Sequence, residues 1–261
     1  MISRFTFRKI IGIILVALYL VSCANSSIEH QPPGQIESTI TPTLAVINPQ
    51  PTPKIDLEKY EFPVRIDPDK QYMFYLHGKI IEDQGLSAIS PDFGEYEYQA
   101  ILEQLAGYGF VVISEQRTKD TEGVAYARKI SSQIKTLIEA GVPARNITVV
   151  GASKGGAIAI YISYFLEDDE VNFVLLAICH PDYVSELIQD EIILHGNVLS
   201  IFDKTDEFAG SCQKLFSFSG GKGLSKSAEV VLDIGLGHGM LYQPLDEWML
   251  PVVQWAKNDS Y

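Results

Sequence analysis

The chain has 261 residues, 46% of them hydrophobic and 20% charged, a balance that suits one globular α/β domain plus appendages. Its formal net charge is −13, and becomes more negative without the first 22 residues, which carry Arg4, Arg8 and Lys9 and no acid. So acidic a surface argues against nucleic acid as a partner and against electrostatic docking on anionic lipid.

Arg4, Arg8 and Lys9 form a basic start, and Ile10 to Val21 is an almost unbroken apolar run. The run is shorter than the roughly 20 residues that span a bilayer, so residues 1–22 read as an export signal rather than a permanent helix. Leu20-Val21-Ser22-Cys23 resembles the bacterial lipobox. That resemblance implies cleavage before Cys23 and a diacylglycerol anchor on its thiol. Ala24 is unlike the Asp of an inner-membrane retention signal. The implied location is the bacterial cell envelope, extracytoplasmic and held at a membrane by lipid, periplasm-facing or on the outer membrane. Residues 23–55 read as a tether. Pro32, Pro33, Pro42, Pro49, Pro51 and Pro53 are mixed there with Ser, Thr, Gln and Asn, and no apolar periodicity appears.

The folded body is expected over residues 56–261. Tyr72 to Leu76 is an apolar strand ending in His77-Gly78. Gly94 to Tyr108 reads as a helix with Tyr98, Ile101, Leu102 and Leu105 on one face. Gly109 to Ile113 is a buried strand running into Ser114-Glu115-Gln116-Arg117. Val124 to Ala140 is a second amphipathic helix, stopped by Gly141 and Pro143. Further strands are expected over Phe173–Ile178, Val198–Phe202 and Glu229–Ile234, and a closing helix over Leu245–Trp255. Strands alternating with helices, several of them continuous Val/Ile/Leu runs, imply a doubly wound, mostly parallel sheet covered on both faces. Ligands in such sheets bind beyond the carboxyl ends of the strands.

One stretch carries chemistry. Ile147-Thr148-Val149-Val150 runs into Gly151-Ala152-Ser153-Lys154-Gly155, and Ala157 to Tyr161 follows at helical spacing. A strand turning abruptly into a helix through Gly-x-Ser-x-Gly is a nucleophile elbow. Ser153 must then take a strained backbone, while Gly151 and Gly155 lack the β-carbons that would clash in so tight a turn. The bland alternative is a glycine-rich turn whose serine caps the helix. Three other strand ends supply what acyl transfer needs. Tyr75-Leu76-His77-Gly78-Lys79 offers the Lys79 N–H, which with that of Lys154 completes an oxyanion hole. Phe202-Asp203-Lys204-Thr205-Asp206 offers two carboxylates, and Leu236-Gly237-His238-Gly239 a histidine on a flexible loop.

The order Ser153, Asp, His238 resembles that of the α/β-hydrolases, and residues from about 60 to 257 look like this superfamily. The resemblance implies Ser153 as nucleophile, His238 as general base and then acid, and an aspartate that orients the imidazole. It aligns Asp206 with the acid, with Asp203 as the fallback; the unused one is expected to be a solvated turn residue. It also implies a serine hydrolase acting on an ester, thioester or amide through an acyl-enzyme, without cofactor. A peptidase, an acyltransferase or a non-catalytic envelope-binding lipoprotein on the same fold are the alternatives. The partners expected are a small acyl substrate and the membrane, the latter through Cys23.

The remaining features weigh less. Glu115-Gln116-Arg117 resembles the superfamily's Asp-x-Arg turn and reads as a structural ion pair. The ammonium of Lys154 is either structural or a means of favouring anionic substrates. No long insertion interrupts the later strands, so no large lid is expected, which favours small or flexible substrates. His77 is expected to bond backbone, His180 to line the pocket or hold structure, and His195 and His30 to be solvated. No His, Asp or Glu cluster has metal-ligand spacing. Gly220-Gly221-Lys222-Gly223 lacks the Ser/Thr of a phosphate loop. Cys179 and Cys212 follow neighbouring strands, and export would allow them to pair.

Overall fold

The computed structural model describes residues 57–258. The export signal, Cys23 and the tether lie outside them. In chain order the elements are β1 (Tyr72–Leu76), α1 (Lys79–Gln84), β2 (Ile89–Ser90), β3 (Gly94–Glu95), α2 (Tyr98–Gly107), β4 (Val111–Ile113) and α3 (Gly123–Glu139). Then come β5 (Ile147–Ala152), α4 (Lys154–Leu166), β6 (Asn172–Leu176), α5 (Pro181–Gln189), β7 (Gly196–Asp203), α6 (Gln213–Ser219), β8 (Leu224–Leu232) and α7 (Asp246–Ala256).

Six strands form one parallel sheet in the order β4-β1-β5-β6-β7-β8, and β2 pairs with β3 as a small antiparallel hairpin. Side chains along a strand alternate between faces, so each buried strand feeds two cores. Met73, Tyr75, Val150, Val174 and Leu199 face one core, shared with Leu102 and Leu105 of α2 and Trp248 and Val252 of α7. Phe74, Val149, Phe173 and Val198 face the other, shared with α3, α4, α5 and α6 through Ile134, Ile162, Leu187 and Phe216. Both faces of β1, β5 and β6 are therefore dry, which is why these strands are continuous apolar runs. The fold is a doubly wound α/β sheet with helices on both faces, and among the described residues no large insertion covers the carboxyl edge.

The departures from expectation have local causes. The helix expected from Gly94 begins only at Tyr98, because Gly94 and Glu95 pair with Ser90 and Ile89 and the Tyr96 N–H donates to the Ala88 carbonyl at 2.9 Å. The last strand starts at Leu224, five residues before the expected Glu229, and most side chains of its polar first half are exposed on the sheet's outer edge. The short helices α1, α5 and α6 were not expected; α5 starts with Pro181 at its first turn, after a cap by the His180 ring, which accepts from the Asp182 N–H. Cys179 and Cys212 are joined in a buried disulfide with a Cα–Cα distance of 5.2 Å, linking the loops that follow β6 and β7. Among the described residues no helix is long and apolar enough to cross a membrane.

Candidate active site

The turn between β5 and α4 has the geometry its glycines demanded. Ser153 sits at φ 52°, ψ −116°, outside the regions open to most L residues. A β-carbon on Gly155 would lie 1.8 Å from the Leu76 carbonyl oxygen, and one on Gly151 would lie 2.3 Å from that of Gly155. Neither position tolerates any other residue without moving backbone. The close approach brings the end of β1 against the start of α4, so residues 77–79 run beside the serine.

Three side chains from three loops meet there. The His238 Nε2 lies 3.0 Å from the Ser153 Oγ, and its Nδ1 lies 2.8 Å from the Asp206 Oδ2. With the carboxylate accepting from Nδ1–H, the network leaves Nε2 as the acceptor facing the serine hydroxyl. The Asp206 side chain is fully buried, and that of His238 is 15% exposed. Asp206 Oδ1 also accepts from the Phe208 N–H at 2.8 Å, which fixes the carboxylate plane.

Asp203, the fallback, serves differently, and it is not the solvated turn residue expected of the unused carboxylate. It is fully buried. Its Oδ1 accepts from the N–H and hydroxyl of Thr205, and its Oδ2 from the N–H groups of Ile234 and Gly235. The Thr205 hydroxyl in turn accepts from the Gly237 N–H at 3.1 Å. Asp203 thus ties the loop carrying Asp206 to the loop carrying His238. Burial alone would raise its pKa, but the four hydrogen bonds outweigh it and hold the carboxyl below its usual range.

Lys79 and Lys154 are the first residues of α1 and α4, so neither N–H has a partner within its helix. Lys79 and the serine both line a cavity of about 190 Å³, with Gly78, Ile80, Tyr96, His238, Leu241 and Tyr242. The Lys79 ammonium pairs with Asp83 at the surface. That of Lys154 bonds the buried Glu82 carboxylate and the Thr121 carbonyl, so it is structural rather than a handle for anionic substrates. Phe208, 64% exposed, stands edge-on to the His238 ring at 5.5 Å, and Phe93 lies 6.4 Å from it on a tilted plane.

The ion pair expected within residues 115–117 is divided between other partners. Glu115 pairs with Lys129 near the surface, whereas Arg117 is buried and its Nε donates to the Glu82 Oε1 at 2.7 Å. Arg117 also donates to the His77 carbonyl, and its backbone N–H donates to the His77 Nε2 at 3.0 Å. Burial, and then the adjacent guanidinium, lower the pKa of His77 to about 3. An unfolded histidine takes a proton near pH 6.5 and folded His77 does not. Stability should therefore fall as pH drops from about 6.5 toward 3, by up to about 1.4 kcal/mol per pH unit from this residue. Urea midpoints at pH 7 and pH 5 check this; equal midpoints would contradict a buried neutral ring. His180 is a helix cap, and His195 is half-buried against Gly223 rather than solvated. Among the described residues no group of three or more His, Cys, Asp or Glu is placed to hold a metal ion.

Sequence reasoning missed Glu82, Thr205 and the rings of Phe93, Tyr96, Phe208 and Tyr242. Glu82 had one weak sign, a charge in Ile80-Ile81-Glu82 directly after the His77-Gly78-Lys79 turn.

No protein-family profile matches the chain, and no curated protein sequence matches it. Solved structures do resemble it. SOBER1 of Arabidopsis thaliana shares 13% identity over 72% of this chain and 98% of its own, with a TM-score of 0.48. A hyperthermophilic esterase from the archaeon Pyrobaculum calidifontis shares 17%, over 74% of this chain and 77% of its own, with a TM-score of 0.49. A sugar hydrolase from Lactococcus lactis shares 13%, over 76% and 92%, with a TM-score of 0.49. Resemblance at this level assigns no residue a role and no substrate to this chain.

Proposed function

We propose that this protein is a serine hydrolase that cleaves a carboxylic ester, thioester or amide through an acyl-enzyme. One observation carries the reading. A serine on a strained elbow, a histidine nitrogen 3.0 Å from its hydroxyl, and a buried carboxylate 2.8 Å from the other nitrogen form a continuous relay. In this reading the Ser153 Oγ attacks the carbonyl while His238 takes its proton. The imidazolium, held by Asp206, then protonates the leaving group. Water repeats the sequence to release the acid. The oxygen that becomes negative is received by the N–H groups of Lys79 and Lys154.

The substrate is small at the site of attack. The cavity of about 190 Å³ is below the roughly 300–1,000 Å³ of sites that enclose drug-sized ligands. Ile80, Leu241 and the two tyrosine rings give it apolar walls suited to a short acyl group. Butyryl esters are therefore expected to react faster than octanoyl esters. Ile80→Ala should raise the octanoyl-to-butyryl ratio of kcat/KM by about 10-fold, since a few methylenes in such a pocket are worth about 1–3 kcal/mol. An unchanged ratio would place the acyl group elsewhere.

The proposed location, at a membrane surface outside the cytoplasm through a lipid on Cys23, rests on the amino-terminal sequence alone. Stopped-flow release of p-nitrophenol from a p-nitrophenyl ester tests the reaction class. A burst equal to the enzyme concentration, followed by slower turnover, is expected. No turnover across short esters would favour a binding module on the same fold.

A further inference from the structure

The most unusual feature near the site is a carboxylate with no place in the proton relay. Glu82 is on α1, one turn after Lys79, and its side chain is wholly buried. One oxygen accepts from the Arg117 Nε at 2.7 Å, and the other from the Lys154 ammonium. The partners lie 35 and 72 positions away, on the loop after β4 and at the elbow itself. A single buried carboxylate thus joins two cations, and removing it would leave both without their counter-charge.

What these contacts hold in place is specific. Lys79 and Lys154 each open a helix; Lys79 lines the cavity beside Ser153, and Lys154 directly follows that serine. Glu82 belongs to the helix that Lys79 begins, and it grips the side chain of Lys154. Arg117, gripped by the other oxygen, also binds the carbonyl and ring of His77, two residues before Lys79. The His77-Gly78-Lys79 turn is therefore braced from its carbonyl side by Arg117 and from its helix side by Glu82. The same carboxylate fixes the side chain of Lys154, the residue that follows the serine and opens α4.

We propose that Glu82 is a positioning residue that sets the spacing of the two oxyanion-binding N–H groups, acting through Lys154 and Arg117; this rests on the hydrolase reading above. An oxyanion hole works only if its donors stay about 2.7–3.1 Å from the oxygen as charge develops, so a slack brace costs rate rather than ground-state affinity. A lysine directly after the nucleophile then has a purpose, since a four-carbon stem and an ammonium can be anchored from a distance.

The test compares wild-type protein with Glu82→Gln, Lys154→Met and the double variant, at a temperature where circular dichroism shows each folded. Two readouts are taken on a short p-nitrophenyl ester and a trifluoromethyl ketone, whose adduct with the serine puts an oxyanion in the hole. The expected result is a fall of about 10- to 100-fold in kcat for Lys154→Met and for Glu82→Gln, with KM within about two-fold. The inhibition constant of the ketone should rise in parallel. The double variant should lose less than the product of the two single losses, since both remove one contact. Lys154→Met keeps its N–H and is partly exposed, so it carries the test if Glu82→Gln does not fold. Wild-type kcat and ketone affinity in folded Lys154→Met would overturn the proposal while leaving the hydrolase reading intact. If wild-type protein neither turns over ester nor binds the ketone, both fall together.

Discussion

Replacing Ser153 by alanine is expected to reduce ester turnover by about 10⁴-fold or more while leaving the protein folded. In the proposed mechanism the loss is so large because nucleophile, base and acid act as one unit, and removal of the attacking oxygen leaves only binding and the proposed oxyanion hole. The backbone adds a second, less usual expectation. At φ 52°, ψ −116°, residue 153 is held where a β-carbon is strained, and such strain costs of order 1–3 kcal/mol. Glycine relieves it. Ser153→Gly should therefore be inactive and yet unfold at higher denaturant than wild type, by about 1 kcal/mol, whereas Ser153→Ala should be close to wild type. Parallel urea titrations and initial rates measure both. A Ser153→Gly variant less stable than wild type would mean that the elbow is not the strained element described.

The second large effect separates the two aspartates. Asp206→Asn should lower kcat by about 10⁴-fold with little change in stability, because an amide in place of the carboxylate favours the wrong histidine tautomer and no longer stabilises the imidazolium. Asp203→Asn should do the reverse. Its carboxylate receives four hydrogen bonds from residues 205, 234 and 235, and an amide offers only one acceptor oxygen. Leaving buried donors unpaired costs about 1–3 kcal/mol, so the variant should be clearly less stable, with the smaller share of the effect on kcat. The sign with pH follows from its depressed pKa. Asp203 stabilises the fold above the unfolded aspartate value near 4, and this contribution is lost as pH falls through its lower folded value. If Asp203→Asn abolished turnover without loss of stability and Asp206→Asn did not, the roles would have to be exchanged.

Much of this was legible in the sequence where local rules act. The β5–α4 turn could be read because a run of β-branched residues, two obligatory glycines and a helical stretch are all contiguous. That Asp206 and His238 would meet Ser153 was legible from their place after strands, since a parallel sheet gathers strand ends on one edge. Asp203 was misread for a different reason. As a turn aspartate it looks solvated, and only the return of residues 234–235 from the neighbouring β8 buries it. Glu82 was invisible for the same cause made larger, because nothing within a few residues of it announces Arg117 or Lys154. The start of the helix at Tyr98 was placed too early because the β2–β3 pairing that claims Gly94 and Glu95 is too short to leave a strand pattern. Polar Leu224 to Ala228 was not read as strand since an edge strand need bury little.

The most direct measurement is the site of attachment of a fluorophosphonate. The full-length protein is treated with the reagent, digested, and its peptides are sequenced by mass spectrometry, with Ser153→Ala as control. The relay described here predicts one adduct, on the hydroxyl of Ser153, and none in the control. An adduct on another residue, or none on a protein shown to be folded, would contradict it.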